Sequence, residues 1–293
     1  MINLFKYLFF FYTILISNWG CHILQFRYSD KKINKRYEEY NLTPKIGYLN
    51  IDKHKIRYLT VGNDSLPTVL MIHGSPGSIS IFDRIIRDST LLKRARIVTF
   101  DRPGYGFSEF GNAMVSLDSQ CIVVSKLIDS LIPHKKFVIM AVSYGGPIAC
   151  QMALKFNSRV KGLVLGAPAL APGLETTFDI SYPMTWFPTK WIFPRMLRVA
   201  SREKFAHKKE LIKIEKSYSN INVPLIYIQG LNDGVVHPKT AKYLQENFTQ
   251  LPYLEINMIP NQKHFLSYPQ KDRLIDAMIR MLNISGINKK PIE

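Results

Sequence analysis

The feature that most constrains this chain is a rhythm. Six short apolar runs, Thr68 to Ile72, Arg96 to Phe100, Phe137 to Val142, Val160 to Leu165, Pro224 to Gln229 and Leu254 to Ile259, are separated by stretches with apolar residues at helical spacing. Five of the six are rich in Val, Ile and Leu without alternation, as strands covered on both faces require. Helical patterns fall at about 81–95, 116–132, 146–156, 238–248 and 269–282, with Ser116 placed to cap the second and Pro238 where a first-turn proline is tolerated. Ahead of them, Ile46 to Ile51 and Ile56 to Val61 read as a β-hairpin around Asp52-Lys53-His54-Lys55. A chain of 293 residues that is 46% hydrophobic can bury one large core. We therefore expect one α/β domain, a mostly parallel doubly wound sheet entered by a hairpin.

The rhythm fails between Pro168 and Asn222, a gap of 55 residues, so an inserted unit is expected at 168–222 rather than a loop of that length. Its first half carries Phe178, Tyr182, Trp186, Phe187, Trp191 and Phe193, and its second half, Arg198 to Ser219, is charged and helical. That pattern suits a helical lid over an apolar pocket, although aromatics are also ordinary core residues. The α/β core is then 46–167 together with 223–284.

The beginning of the chain differs from the rest. Over residues 1–24, Lys6 is the sole charge before Cys21, and Tyr7 to Ile16 is apolar except for Thr13. A run of about ten apolar residues is short for a membrane span, which needs about 20, and fits the core of a secretory signal. Gly20-Cys21 resembles the cleavage and lipid-attachment site of bacterial lipoproteins, so Cys21 is a candidate lipid attachment point. An exported protein held at a membrane through its N-terminus is expected, as a lipoprotein or through an uncleaved anchor. Residues 25–45, with Lys31, Lys32, Lys35, Arg36, Glu38 and Glu39, suit a tether or an outer helix. Cys121 and Cys150 make no disulfide framework and read as small buried hydrophobes.

The 39 Lys and Arg exceed the 22 Asp and Glu, giving a formal net charge of +17. The excess is spread along the chain with no basic stripe interleaved with stacking aromatics, so nucleic acid is not an expected partner. No dinucleotide fingerprint, phosphate loop, His-Glu-x-x-His or paired Cys-x-x-Cys occurs, and no cofactor or metal is expected.

The chemistry-bearing residues stand at strand ends. Ala141-Val142-Ser143-Tyr144-Gly145-Gly146 closes one run and opens a helix, the setting of a strained elbow that exposes a serine hydroxyl and needs small neighbours. Ala141 replaces the first glycine of the Gly-x-Ser-x-Gly pattern. His73-Gly74-Ser75-Pro76-Gly77-Ser78 follows an earlier run, and Asp101-Arg102-Pro103-Gly104-Tyr105-Gly106-Phe107-Ser108 follows the next. Later come Gln229-Gly230-Leu231-Asn232-Asp233-Gly234 and Asn261-Gln262-Lys263-His264-Phe265.

In content, order and spacing these motifs resemble the α/β-hydrolase family, from about Ile46 to Leu282. The resemblance implies Ser143 as nucleophile, Asp233 as the orienting acid and His264 as general base, in the family's order of serine, acid, histidine. It implies that the backbone N–H groups of Ser75 and Tyr144 form the oxyanion hole, that His73 braces its loop, and that Asp101 is structural. A serine hydroxyl needs such a base to become nucleophilic near neutral pH. His22, His54, His134, His207 and His237 are expected away from the site. Haloalkane dehalogenases and epoxide hydrolases of this fold carry an aspartate at the elbow, so Ser143 points to acyl transfer and a small acyl substrate, with lipophilic acyl chains expected. Two alternatives stay open: an aminopeptidase resembling proline iminopeptidase, with Glu175, Asp179, Glu203, Glu210 or Glu215 holding a substrate amine, and a catalytically idle binding protein on the same fold.

Overall fold

The computed structural model describes residues 26–287 except 157 and 188, together with residues 7 and 10. The expected signal or anchor, Cys21 included, lies otherwise outside the described residues, as does His22. No helix among the described residues is long and apolar enough to cross a membrane.

Eight strands form one sheet: β1 (Lys45–Ile51), β2 (His54–Val61), β3 (Thr68–Ile72), β4 (Arg96–Phe100), β5 (Phe137–Val142), β6 (Val160–Gly166), β7 (Leu225–Gly230) and β8 (Leu254–Ile259). Their spatial order is β1-β2-β4-β3-β5-β6-β7-β8. The hairpin β1–β2 and the β2–β4 pair are antiparallel, and every pair from β4 through β3 to β8 is parallel. Pairing sets Ile72 opposite Ala141, Val142 opposite Gly166 and Gly230 opposite Ile259. The loops leaving β3, β5, β7 and β8 therefore emerge along one rim, where open α/β sheets bind ligands.

Strand periodicity divides the core in two. Leu70, Ile72, Val98, Ile139, Leu163 and Tyr227 face one cluster, while Val69, Met71, Ile97, Val138, Met140 and Ile228 face the other. The first is covered by α4 (Leu117–Leu131), α5 (Gly145–Lys155) and α7 (Thr240–Asn247), the second by α1 (Asp30–Glu38), α2 (Asp83–Ile86) and α8 (Lys271–Ile284). Ser116 caps α4, its hydroxyl accepting from the Ser119 N–H at 3.2 Å. Cys121 and Cys150 are buried inside these helices. β8 is the edge strand opposite β1 and alternates apolar with polar residues along Leu254-Glu255-Ile256-Asn257.

The helical pattern at 81–95 breaks into a 3₁₀ turn (Ile79–Phe82), α2 and α3 (Ser89–Leu92). Asp88 causes the break: its extended backbone starts a new helix, and its carboxylate accepts from Thr90 and Leu91 N–H at 3.0 and 3.2 Å. The polar segment 25–45 contains α1, whose Ile33 and Tyr37 are buried in the second cluster. Arg36 of α1 reaches the Asp83 carboxylate at 2.7 Å.

Between β6 and β7 lie 3₁₀ turns at Asp179–Ser181 and Thr189–Ile192, the long helix α6 (Arg195–Ile214) and a 3₁₀ stretch at Glu215–Asn220. Two acids of α6 enter the body of the domain. Glu203 pairs with Arg102 at 2.8 Å, both fully buried, and Glu210 accepts from the Leu117 N–H at 3.1 Å, at the positive end of α4. The aromatic half behaves differently from the expectation of a set of rings over a pocket: Tyr182, Trp186, Phe187 and Trp191 are exposed on the outside.

Asp101, which ends β4, is fully buried and accepts from Ile79 and Phe107 N–H, each at 2.8 Å, and from Arg57 at 3.3 Å. Its carboxylate is thus consumed by structure. We predict that Asp101→Ala lowers stability by about 2–4 kcal/mol, because it orphans two buried N–H donors and leaves buried Arg57 with Asp30 as its remaining carboxylate partner. A urea titration showing less than ~1 kcal/mol of loss contradicts that role.

Candidate active site

The elbow follows from its neighbours. Ser143 takes φ +51°, its N–H donates to Gly166 O at 2.9 Å, and its carbonyl accepts from Gly146 and Ala169 N–H at 2.9 and 3.1 Å. A non-glycine residue in this region is strained, and three backbone hydrogen bonds hold it there. Gly145 admits the turn because a Cβ there would stand 2.6 Å from the Ile72 carbonyl oxygen. Ala141 is fully buried in β5, so its methyl group packs into the core beneath the elbow.

Asp233 and His264 arrive from the next strand ends. The loops after β7 and β8 are joined where Asn232 N–H donates to Gln262 O at 3.0 Å. Asp233 Oδ1 accepts from Val235 and Val236 N–H, both at 2.9 Å, and Oδ2 accepts from Gln229 Nε2 at 3.1 Å and His264 Nδ1 at 2.8 Å. A proton on Nδ1 leaves Nε2 as acceptor for the Ser143 hydroxyl, 3.0 Å away. Burial opposes ionisation of Asp233, but the hydrogen bond from His264, its charge and the Val236 and Val235 N–H groups outweigh it and hold the carboxyl below its ordinary value.

The loop after β3 runs against the elbow, a Cβ on Gly74 standing only 2.8 Å from Ser143 Cβ. His73 is fully buried, its Nδ1–H donating to Gly74 O at 2.8 Å while Nε2 accepts from Arg102 N–H at 2.9 Å. Desolvation, then the Arg102 charge, push this imidazole well below its usual range, so it braces the loop as a neutral ring. Tyr144 is the N-cap of α5, and N–H groups at a helix start have no intrahelical acceptor. Ser75 and Tyr144 both border the same cavity as Ser143 and His264.

That cavity is about 410 Å³ and is walled mainly by Val142, Phe178, Ile180, Met184, Val236 and Leu266. The inserted segment forms much of it and is stitched to the acid loop, Thr176 N–H donating to Val235 O at 2.8 Å and His237 N–H to Leu174 O at 2.7 Å. His207 corrects the expectation that it lies away from the site. It sits within α6, buried, its ring 4.6 Å from the Tyr144 ring and lining the cavity. Glu175 and Lys204 line the cavity too, with Lys204 Nζ at 3.7 Å and His207 Nε2 at 3.4 Å from the Glu175 carboxylate. Helical periodicity in 198–219 places such residues on a face but does not say what the face covers. His54 is remote, hydrogen-bonded to Glu109 at 2.7 Å. No group of three His, Cys, Asp or Glu among the described residues is arranged to hold a metal ion.

This arrangement on a mostly parallel sheet defines a class. The model of the α/β-hydrolase fold family matches residues 67–191, and the sheet order and solved neighbours agree that the chain has that fold. The chain is 30% identical over 198 residues to a juvenile hormone epoxide hydrolase of Manduca sexta, in an alignment covering 60% of this chain and 43% of that protein. It spans less than half the length of the curated relatives it matches at 30% identity or more. It is also 25% identical over 249 residues to a pimeloyl-[acyl-carrier protein] methyl ester esterase of Nitrosospira multiformis, covering 70% of this chain and 91% of that one. Among solved structures, a bacterial membrane phospholipase A superposes with a TM-score of 0.67 at 18% identity, covering 89% of this chain and 91% of that one.

Asp233 yields a paired prediction. Asp233→Asn is expected to lower hydrolytic turnover by about 10³- to 10⁴-fold, through loss of the Nδ1–H tautomer and of support for an imidazolium. A carboxyl held below its ordinary value stabilises the folded state above the unfolded pKa of about 3.9, and that stability is lost as pH falls through the lowered folded value. The difference in urea midpoint between wild type and Asp233→Asn should accordingly be widest near neutrality and close in acid. A pH-independent difference contradicts it.

Proposed function

We propose that this chain is a serine hydrolase that cleaves carboxylic esters through an acyl-enzyme on Ser143. The observation that carries the reading is the hydrogen-bonded sequence from Ser143 through His264 to Asp233, with spacings of 3.0 and 2.8 Å. In this mechanism His264 Nε2 takes the Ser143 proton as Oγ attacks the acyl carbon, and Asp233 stabilises the imidazolium that forms. The Ser75 and Tyr144 N–H groups stabilise the oxyanion, each worth roughly 10²- to 10³-fold in rate. His264 then protonates the departing alcohol, and water repeats the sequence to release the acid.

The polar contents of the cavity favour an ester over an aminopeptidase substrate. A site for a substrate ammonium needs an acid whose charge is not already compensated. Of the candidate acids, Glu175 and no other borders the described cavity. There the Lys204 ammonium, 3.7 Å from a carboxylate that accepts no hydrogen bond, both offsets its charge and would repel a second ammonium, while His207 Nε2–H donates to Ala169 O at 3.0 Å. Glu203 is committed to Arg102 and Glu210 to Lys213. The esterase and phospholipase relatives are by name ester hydrolases. The epoxide hydrolase match does not alter this, because an elbow serine forms an acyl rather than an alkyl ester.

Apolar walls around Ser143 support lipophilic acyl chains. The apolar run before Cys21 supports export and anchorage at a membrane, in reach of such substrates.

The test is chemical. A fluorophosphonate should label Ser143 in the folded protein, and His264→Ala should slow labelling by at least about 10²-fold. In a p-nitrophenyl ester series kcat/KM should rise from acetyl to medium chains, with p-nitroanilides turned over far more slowly. Absence of labelling favours an idle binding protein, and faster anilide than ester turnover favours the peptidase.

A further inference from the structure

A buried chain of hydrogen bonds connects the inserted helix α6 with the loop beside the elbow. Glu203, fully buried, receives four donors: Arg102 Nη1 at 2.8 Å and Gln120 Nε2 at 3.2 Å on Oε1, and Arg102 Nη2 at 3.1 Å and the Tyr105 hydroxyl at 2.6 Å on Oε2. Tyr105 Oη in turn lies 2.7 Å from Ser75 Oγ. The three residues come from different parts of the chain: α6, the turn after β4 and the loop after β3.

Proton counting gives the chain a direction. A carboxylate engaged by a guanidinium, an amide and a phenol is an acceptor throughout, so Tyr105 spends its single proton on Glu203. Burial and the Glu203 charge push the Tyr105 phenol well above its usual range, which keeps that proton in place. Tyr105 Oη can then only accept, and the Ser75 hydroxyl must be the donor. The Ser75 proton is thereby turned away from the cavity that Ser75 borders.

We propose that Glu203 is a positioning residue for the oxyanion loop: through Tyr105 it fixes the Ser75 hydroxyl as an outward donor, so that Ser75 offers its backbone N–H, and not its side chain, to the reacting oxygen. The proposal rests on the serine hydrolase reading and adds to it a dependence of the oxyanion loop on the inserted helix. Arg102 reinforces the same loop, donating to His73 O at 3.0 Å and Gly74 O at 3.2 Å. Loosening the chain leaves the Ser75 N–H present but poorly aimed, and misplacement of a catalytic dipole slows chemistry without weakening ground-state binding.

The experiment compares Ser75→Ala, Tyr105→Phe and Glu203→Gln with wild type. Active sites are counted by exhaustive fluorophosphonate labelling, and kcat per labelled site is measured on a p-nitrophenyl ester. Each variant should fall about tenfold in kcat per labelled site at nearly unchanged KM, well short of the 10²- to 10³-fold cost of removing an oxyanion donor. The Ser75→Ala/Tyr105→Phe double variant should lose no more than the worse single variant, as members of one chain do. Should Glu203→Gln fail to fold, the other two carry the test, since each removes one hydroxyl and leaves the Arg102 pair intact. Unchanged kcat per labelled site in Ser75→Ala and Tyr105→Phe overturns the proposal, because a merely structural chain alters the number of active sites and not their rate. An effect confined to KM overturns it too. So does a loss of 10²-fold or more in Ser75→Ala with none in Tyr105→Phe, which makes the Ser75 hydroxyl itself the oxyanion donor. A wild-type protein that takes no label and turns over no ester refutes the hydrolase reading first and this proposal with it.

Discussion

A guanidinium with no access to solvent organises this molecule. Arg102 is fully buried, and a buried cation is tolerated only when its charge is compensated and its donors are met. The partners that meet them come from everywhere the site is built: the carbonyls of His73 and Gly74 on the β3 loop, Gln120 on α4, and Glu203 on α6. Removing any of these leaves an uncompensated charge or an orphaned polar group at a cost of several kcal/mol. The inserted segment is therefore bound into the domain at its charged helix, while in its first half Phe178 walls the cavity and Tyr182, Trp186, Phe187 and Trp191 remain on the surface. Tyr105 and Tyr144 stack against the same guanidinium, with its carbon 4.8 and 4.7 Å from their ring centroids.

Around that centre the geometry of the sheet does the positioning. Parallel pairing brings the ends of β3, β5, β7 and β8 to one rim, so residues separated by up to 121 positions stand within hydrogen-bond reach. Each group is then held in place: Ser143 by three main-chain hydrogen bonds, Asp233 by two N–H donors and the Gln229 amide, and the loop after β3 by the neutral His73 ring. Side chains held this way need little reorganisation as charge develops, which is the condition for electrostatic catalysis.

Much of this was legible in the chain itself. Unbroken Val, Ile and Leu runs mark two-sided burial, and β3, β4 and β5 begin and end where those runs do, while the alternating run 254–259 matches the edge strand β8. Ser143, Asp233 and His264 are picked out by their places at strand ends and by an order and spacing that resemble the α/β-hydrolase family; Gly145 and Gly234 mark the first two turns, while Lys263 and Phe265 beside His264 carry no such local signal. What failed to show was any relation carried only by tertiary packing. Asp88 breaks a helix that hydrophobic spacing draws as continuous. His207 reads as a surface helix residue until α6 is seen to turn it onto Tyr144. Glu203 is one acid among several in a charged stretch, and nothing local separates it from exposed Glu246. The outward aromatics share a cause: composition reports that rings are present, and only packing decides what they face.

The central claim is that Ser143 carries the acyl group between two chemical steps. Rapid acid quench during turnover of a slow ester, followed by peptide mapping by mass spectrometry, tests this most directly. A single acyl increment on the peptide containing Ser143, absent from Ser143→Ala along with all turnover, is the expected result. Steady ester turnover with no adduct on that peptide, or turnover that survives Ser143→Ala, contradicts it.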